Sequence, residues 1–140
     1  NGGLLAGNML TKYPQLYGAV VSQVALLDMK RYPHMSAGAS WMAEYGNPDN
    51  PEEWKYIQTF SPYHNLHKGT HYPAVLFTTS TRDDRVGPVH ARKMAARMQA
   101  MGFDASFYEN IEGGHGAAAD NKQSAFMNAL SYTYLWEHLK

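Results

Sequence analysis

The chain has 140 residues, 12 basic and 12 acidic side chains, a formal net charge of zero and no cysteine. Balanced charge argues against a nucleic-acid binder, which carries a basic stripe, and removes the electrostatic attraction to an anionic membrane. The absence of cysteine excludes a disulfide scaffold, a thiol nucleophile and a thiolate metal site, and leaves the compartment open. No apolar run nears the ~20 residues of a membrane helix. By size alone the chain reads as one compact domain, able to bury roughly 70% of its unfolded surface without staples.

Residues 4–10 are apolar with few breakers and predict a helix ending near Tyr13-Pro14. Residues 18–24 are short and β-branched, bounded by Gly18 and Asp28, and predict a buried strand. Residues 28–40 contain Pro33 and Gly38 and read as irregular. A short helix over 41–45 stops at Gly46-Asn47-Pro48. Asp49 and Asn50 are cap candidates for a helix starting at Pro51, with Glu52 and Glu53 in its first turn.

Residues 74–79 predict a strand buried on both faces. Pro88 opens a helix with Met94, Met98 and Met101 at helical spacing, closed by Gly102. Residues 105–111 predict a third strand. Residues 123–140 predict a long helix whose apolar side carries Phe126, Met127, Leu130 and Tyr134. Alternating strands and helices imply an α/β fold with a parallel sheet and covering helices.

Ligands and catalytic groups in open α/β folds gather beyond the carboxyl ends of the strands. The loop after the second strand reads Arg82-Asp83-Asp84-Arg85-Val86. An Asp there can orient a histidine and stabilise its imidazolium form; the bland alternative is a solvated turn with local ion pairs. The loop after the third strand reads Glu112-Gly113-Gly114-His115-Gly116. Glycines on both sides of one ring suit a tight loop that presents it. His115 is therefore a better candidate than His34, His64, His67, His71, His90 or His138. The chain opens Asn1-Gly2-Gly3-Leu4-Leu5, which fits the end of a G-x-S-x-G nucleophile elbow and the start of its helix. Elbow, then Asp83, then His115 is the α/β-hydrolase order of Ser, acid and His.

Together these stretches, with Trp41, Tyr45-Gly46 and Ser61-Pro62-Tyr63-His64-Asn65, make the chain resemble the carboxyl-terminal part of the prolyl oligopeptidase catalytic domain. The family pattern is Gly-Gly-Ser-Asn-Gly-Gly-Leu, so the expectation is a partial α/β-hydrolase domain over residues 1–140, starting just after the nucleophile. The resemblance implies a serine peptidase that cuts oligopeptides after proline, with no cofactor and no metal. Asp83 would be the triad acid and His115 the general base. The backbone N–H of Asn1 would be one oxyanion donor. Arg85 would hold a substrate carbonyl, Trp41 would stack on the P1 proline, and Tyr45 and Val86 would line the same pocket. The partners implied are an oligopeptide substrate and the upstream part of the same protein, with neither nucleic acid nor membrane. The chain alone lacks the serine and is expected to be inactive.

Arg82 and the run Ala117-Ala118-Ala119-Asp120 depart from the family pattern and leave acylaminoacyl-peptidase-like and dipeptidyl-peptidase-like pockets open. Two further readings belong to other classes: an inactive fragment or assembly partner, and a metal module built from His64, His67 and His71.

Overall fold

The computed structural model describes residues 1–140. Three parallel strands, β1 (Ala19–Gln23), β2 (Ala74–Ser80) and β3 (Ala105–Asn110), lie in the order β1-β2-β3. Ala19 stands opposite Ala74, and Val75 opposite Ala105. The central strand is buried from Val75 to Ser80, as a strand covered on both faces must be.

Helices α1 (Gly2–Lys12) and α4 (Val89–Ala100) cover one face. Leu10, Val20, Val75, Phe77, Met94 and Met98 meet there in the larger core. Helix α5 (Asn121–His138) covers the other face, where Gln23 Nε2 donates to Ser131 Oγ at 3.1 Å. Two shorter helices, α2 (Met42–Tyr45) and α3 (Pro51–Ile57), stand in the long crossover between β1 and β2. They enclose a second core of Leu4, Leu26, Met29, Tyr32, Ile57 and Val86. No helix is long and apolar enough to cross a membrane.

Several local expectations shift by a few residues, each for a visible reason. Trp41 ends a 3-10 turn (Gly38–Trp41) rather than opening α2. Gly38 is required in that turn, because a Cβ would lie 1.7 Å from the Tyr32 carbonyl oxygen. Asn50, not Asp49, caps α3 by accepting from the Glu52 N–H, while Asp49 pairs with His34 at 2.9 Å. Strand β3 stops at Asn110, whose side chain accepts the N–H groups of Glu112 and Gly113 and turns the chain, leaving Ile111 73% exposed.

Helix α5 starts at Asn121, capped by Asp120. Of its expected apolar side, Met127 is buried and Phe126 is half exposed, because Phe126 packs at the sheet edge against Tyr108.

Candidate active site

Strand β2 delivers a turn in which two adjacent carboxylates part company. Asp84 is exposed, whereas Asp83 turns inward and is buried. Asp83 Oδ1 accepts the backbone N–H groups of Arg85 at 3.0 Å and Val86 at 3.1 Å, which fixes the carboxylate plane. The guanidinium of Arg85 pairs with neither aspartate, so the local ion pair that competed with a binding role is absent. Arg85 is exposed and free to meet a ligand.

Strand β3 delivers His115 to the same point. Its Nδ1 lies 3.1 Å from both Asp83 oxygens. A neutral ring so placed donates Nδ1–H to the carboxylate and keeps a lone pair on Nε2. The two loops are also joined through the backbone: Thr81 N–H donates to the Asn110 carbonyl at 2.8 Å, and Arg82 N–H to that of Gly113 at 3.2 Å. These bonds continue the β2–β3 pairing past the strand ends.

A cleft of about 430 Å³ opens beside the ring. Its lining includes six of the seven candidate residues: Asn1, Trp41, Tyr45, Arg85, Val86 and His115. The seventh, Asp83, stands behind His115. Residues separated by more than a hundred positions thus converge on one concavity.

Other lining residues escaped the sequence reading. Gln23, Val24 and Leu26 come from the end of β1, and Glu44 from α2. Val24 holds φ +43°, which a β-branched residue rarely adopts, and the strain swings the chain out of the sheet to form the cleft floor. Gly3 allows α1 to sit directly on that floor, since a Cβ there would be 2.4 Å from Ala25 Cα. Glu44 Oε1 accepts from Asn1 Nδ2 at 2.7 Å, and the Tyr45 hydroxyl donates to Asn1 Oδ1. Burial pushes the Tyr45 hydroxyl pKa above its ordinary value, and the charge of Glu44 adds to this.

His90 supports the floor from below. Its Nδ1 accepts the N–H groups of Leu27 and Asp28 at 3.2 and 3.0 Å. Burial pushes its pKa down to about 4, so the ring stays neutral and keeps accepting. Burial pushes the Asp28 carboxyl up, but the Lys93 ammonium and the neighbouring Arg31 outweigh it and hold Asp28 below the usual carboxylate value. A signal for His90 was present in the sequence: with Met94 and Met98 it repeats every four residues along the buried face of α4.

A second Ser–His–Asp grouping, Ser61, His64 and Asp28, lacks relay geometry. Ser61 Oγ lies 2.8 Å from His64 Nδ1, and that same nitrogen is 4.0 Å from Asp28 Oδ1. One ring nitrogen cannot both accept from the serine and donate to the acid. His67 and His71 are exposed, and no three His, Asp or Glu side chains converge on a metal position.

With this geometry in hand, the chain can be set beside known proteins. A sequence model of the prolyl oligopeptidase family matches residues 1–140. An uncharacterized peptidase of Sinorhizobium fredii is 55% identical over 139 residues, which are 99% of this chain and 19% of that protein. A prolyl endopeptidase of Elizabethkingia miricola is 40% identical over 133 residues, 92% of this chain and 19% of its own length. A solved structure from a mechanistic study of two prolyl endopeptidases superimposes with a TM-score of 0.91 at 41% identity, covering 99% of this chain and 21% of that one. The post-proline cleaving enzyme of Rickettsia typhi gives a TM-score of 0.84 at 38% identity, covering 94% of this chain and 19% of that one. The chain therefore spans about a fifth of the length of the relatives it matches.

Proposed function

The chain belongs to the prolyl oligopeptidase family, and from that premise we propose that the whole protein is a serine peptidase that cuts oligopeptides after proline. The observation that carries this reading is the Asp83–His115 pair at 3.1 Å on the rim of a cleft lined by Asn1, Trp41 and Arg85. In this reading residues 1–140 are the carboxyl-terminal part of the catalytic domain, and the residue before Asn1 is the nucleophilic serine. Exposed apolar side chains favour a larger domain: Leu5 on α1, Leu16 in the 3-10 turn after it, Tyr132 and Trp136 on α5 and Leu139 just past its end are each more than half exposed. The upstream part of the same protein is the partner that would cover them.

The proposed steps follow from the groups present. The serine Oγ attacks the scissile carbonyl carbon while His115 Nε2 takes its proton. Asp83, held by two backbone N–H groups, keeps the ring oriented and stabilises the imidazolium. The Asn1 N–H, at the start of α1, donates to the oxyanion as charge develops. Collapse of the tetrahedral intermediate passes the proton from His115 to the leaving amine, and water then releases the acyl group by the same route. Arg85 offers fixed donors to a substrate carbonyl. Trp41 offers a flat wall to a rigid pyrrolidine ring.

The test is kcat/KM of the full-length protein on two peptide amides that differ only in proline or alanine at P1. A preference of tenfold or more for proline is expected, and equal rates would remove the proline claim. The isolated 140 residues should give no measurable turnover of either substrate.

A further inference from the structure

The His115 loop, residues 111–120, closes on itself. A Cβ on Gly113 would meet the Ala117 backbone and the Ala118 nitrogen at 2.8 Å, so the loop's two limbs touch there. Ala117 adopts φ +67°, a left-handed conformation that a non-glycine residue holds only when its surroundings impose it. Two amide side chains outside the loop supply that constraint. Asn110, buried at the end of β3, accepts the N–H groups of Glu112 and Gly113 at 2.9 and 3.0 Å, which fixes the entry limb. Gln123, in the first turn of α5, accepts the Ala119 N–H at 2.9 Å, which fixes the exit limb. Asn110 Nδ2 donates to the same Gln123 oxygen at 2.8 Å, and Gln123 Nε2 donates to Glu112 Oε2 at 2.5 Å. The Asp120 cap holds the Gln123 N–H at 2.8 Å and so fixes the residue that bridges the limbs.

From this closed ring of hydrogen bonds we propose that Asn110 and Gln123 are positioning residues that set the orientation of His115 toward Asp83. The proposal rests on the reading of His115 as general base. Neither side chain lines the cleft, and neither hydrogen-bonds to Asp83 or His115. Both act on the loop backbone: only Gly114 separates the Gly113 amide from the ring on the entry limb, and residues 116–118 separate it from the Ala119 amide on the exit limb. Both must be amides. Asn110 uses its oxygen for the loop and its nitrogen for Gln123, and Gln123 uses its oxygen for the loop and its nitrogen for Glu112. A carboxylate in either place keeps the acceptor and loses the donor. At position 123 it would also face Glu112 as a like charge.

The experiment uses the full-length protein, normalised to folded protein by near-ultraviolet circular dichroism so that misfolded molecules do not enter kcat. Gln123→Ala should lower kcat about tenfold or more with KM within twofold, because a ring displaced by a fraction of an ångström transfers protons poorly yet leaves binding intact. The far-downfield proton resonance of the His115–Asp83 hydrogen bond should broaden or disappear in the same variant. Asn110→Asp, nearly isosteric and still an acceptor for both loop amides, should fold even if Gln123→Ala does not, and should give a smaller loss of kcat with the same KM.

Unchanged kcat and an unchanged resonance in either folded variant would overturn the proposal. So would a loss shared equally between kcat and KM, which would mark a merely structural role. His115→Ala serves as the control: full activity in it would refute the general-base reading, whereas its inactivity beside fully active Asn110 and Gln123 variants would refute only the positioning role.

Discussion

Asp83 and His115 sit on loops that leave two adjacent parallel strands, and the strand pairing continues beyond the strand ends into those loops. Trp41, Glu44 and Tyr45 sit instead on a 3-10 turn and a single-turn helix that no strand supports. The first half of the cleft is anchored in the larger core through Phe77, Met94 and their neighbours. The second half rests on the smaller one, where Tyr32 packs edge-on to Tyr45 with ring centroids 5.8 Å apart and donates its hydroxyl to the Gly46 carbonyl. Burial pushes the Tyr32 hydroxyl pKa up to about 12, so it remains a donor throughout the neutral range. The Asp83–His115 pair thus inherits the rigidity of a sheet, whereas the opposite wall of the cleft depends on a few aromatic contacts. On the proposed reading, substitutions in the aromatic wall should change specificity without disturbing the chemistry.

The largest effect should fall on the sheet-anchored half. Asp83→Asn in the full-length protein should reduce kcat by about 10⁴-fold, because the amide no longer selects the ring tautomer or stabilises the imidazolium. Steady-state kinetics on a proline amide checks this. A loss confined to KM would place Asp83 on the pocket side of the comparison.

Next is a pH dependence of stability seated under the floor. The His90 pKa is about 4 in the folded protein against 6.5 in the unfolded chain. The unfolded chain therefore binds more protons between those values. The contribution is fully present above pH 6.5 and is lost as pH falls from about 6.5 to 4, at a cost of about 3 kcal/mol. Urea unfolding midpoints across that range should fall with pH, and His90→Gln should flatten the slope. An unchanged slope in that variant would show that other groups carry the effect.

Gly38→Ala attacks the weaker half through its turn. The added methyl group meets the Tyr32 carbonyl, and a loss of roughly 1–3 kcal/mol is expected in denaturant melts. KM for proline substrates should rise, with kcat retained per active site. Trp41→Ala is gentler. It should raise KM for a proline amide about tenfold and leave an alanine amide nearly unchanged. Equal effects on the two substrates would move the proline pocket elsewhere.

Legibility in the sequence follows the same division. The three strands were readable as short runs of β-branched, apolar and aromatic residues, since a strand covered on both faces shows a continuous run rather than alternation, and α1, α4 and α5 were readable as longer stretches with few breakers. Asp83 and His115 were readable because a strand end and flanking glycines mark them. Trp41, Tyr45, Arg85 and Val86 came from family resemblance, and the structure brings all four to one cleft. Glu44, Val24 and Leu26 left no such mark. Glu44 is one polar residue in a one-turn helix, and the strained φ of Val24 depends on how the chain must leave β1 to pass beneath α1. Leu26 looks like any core leucine until the cleft above it is formed. The Asn110–Gln123 ring was equally silent, because two amides thirteen residues apart acquire meaning only when the loop between them closes.

The most direct test of the account is kcat/KM of the full-length protein carrying His115→Ala on a proline amide, relative to the wild type and normalised to folded protein. A fall of about 10⁴-fold or more is expected, with binding of a non-hydrolysable proline peptide unchanged. Undiminished kcat/KM in that variant would contradict it.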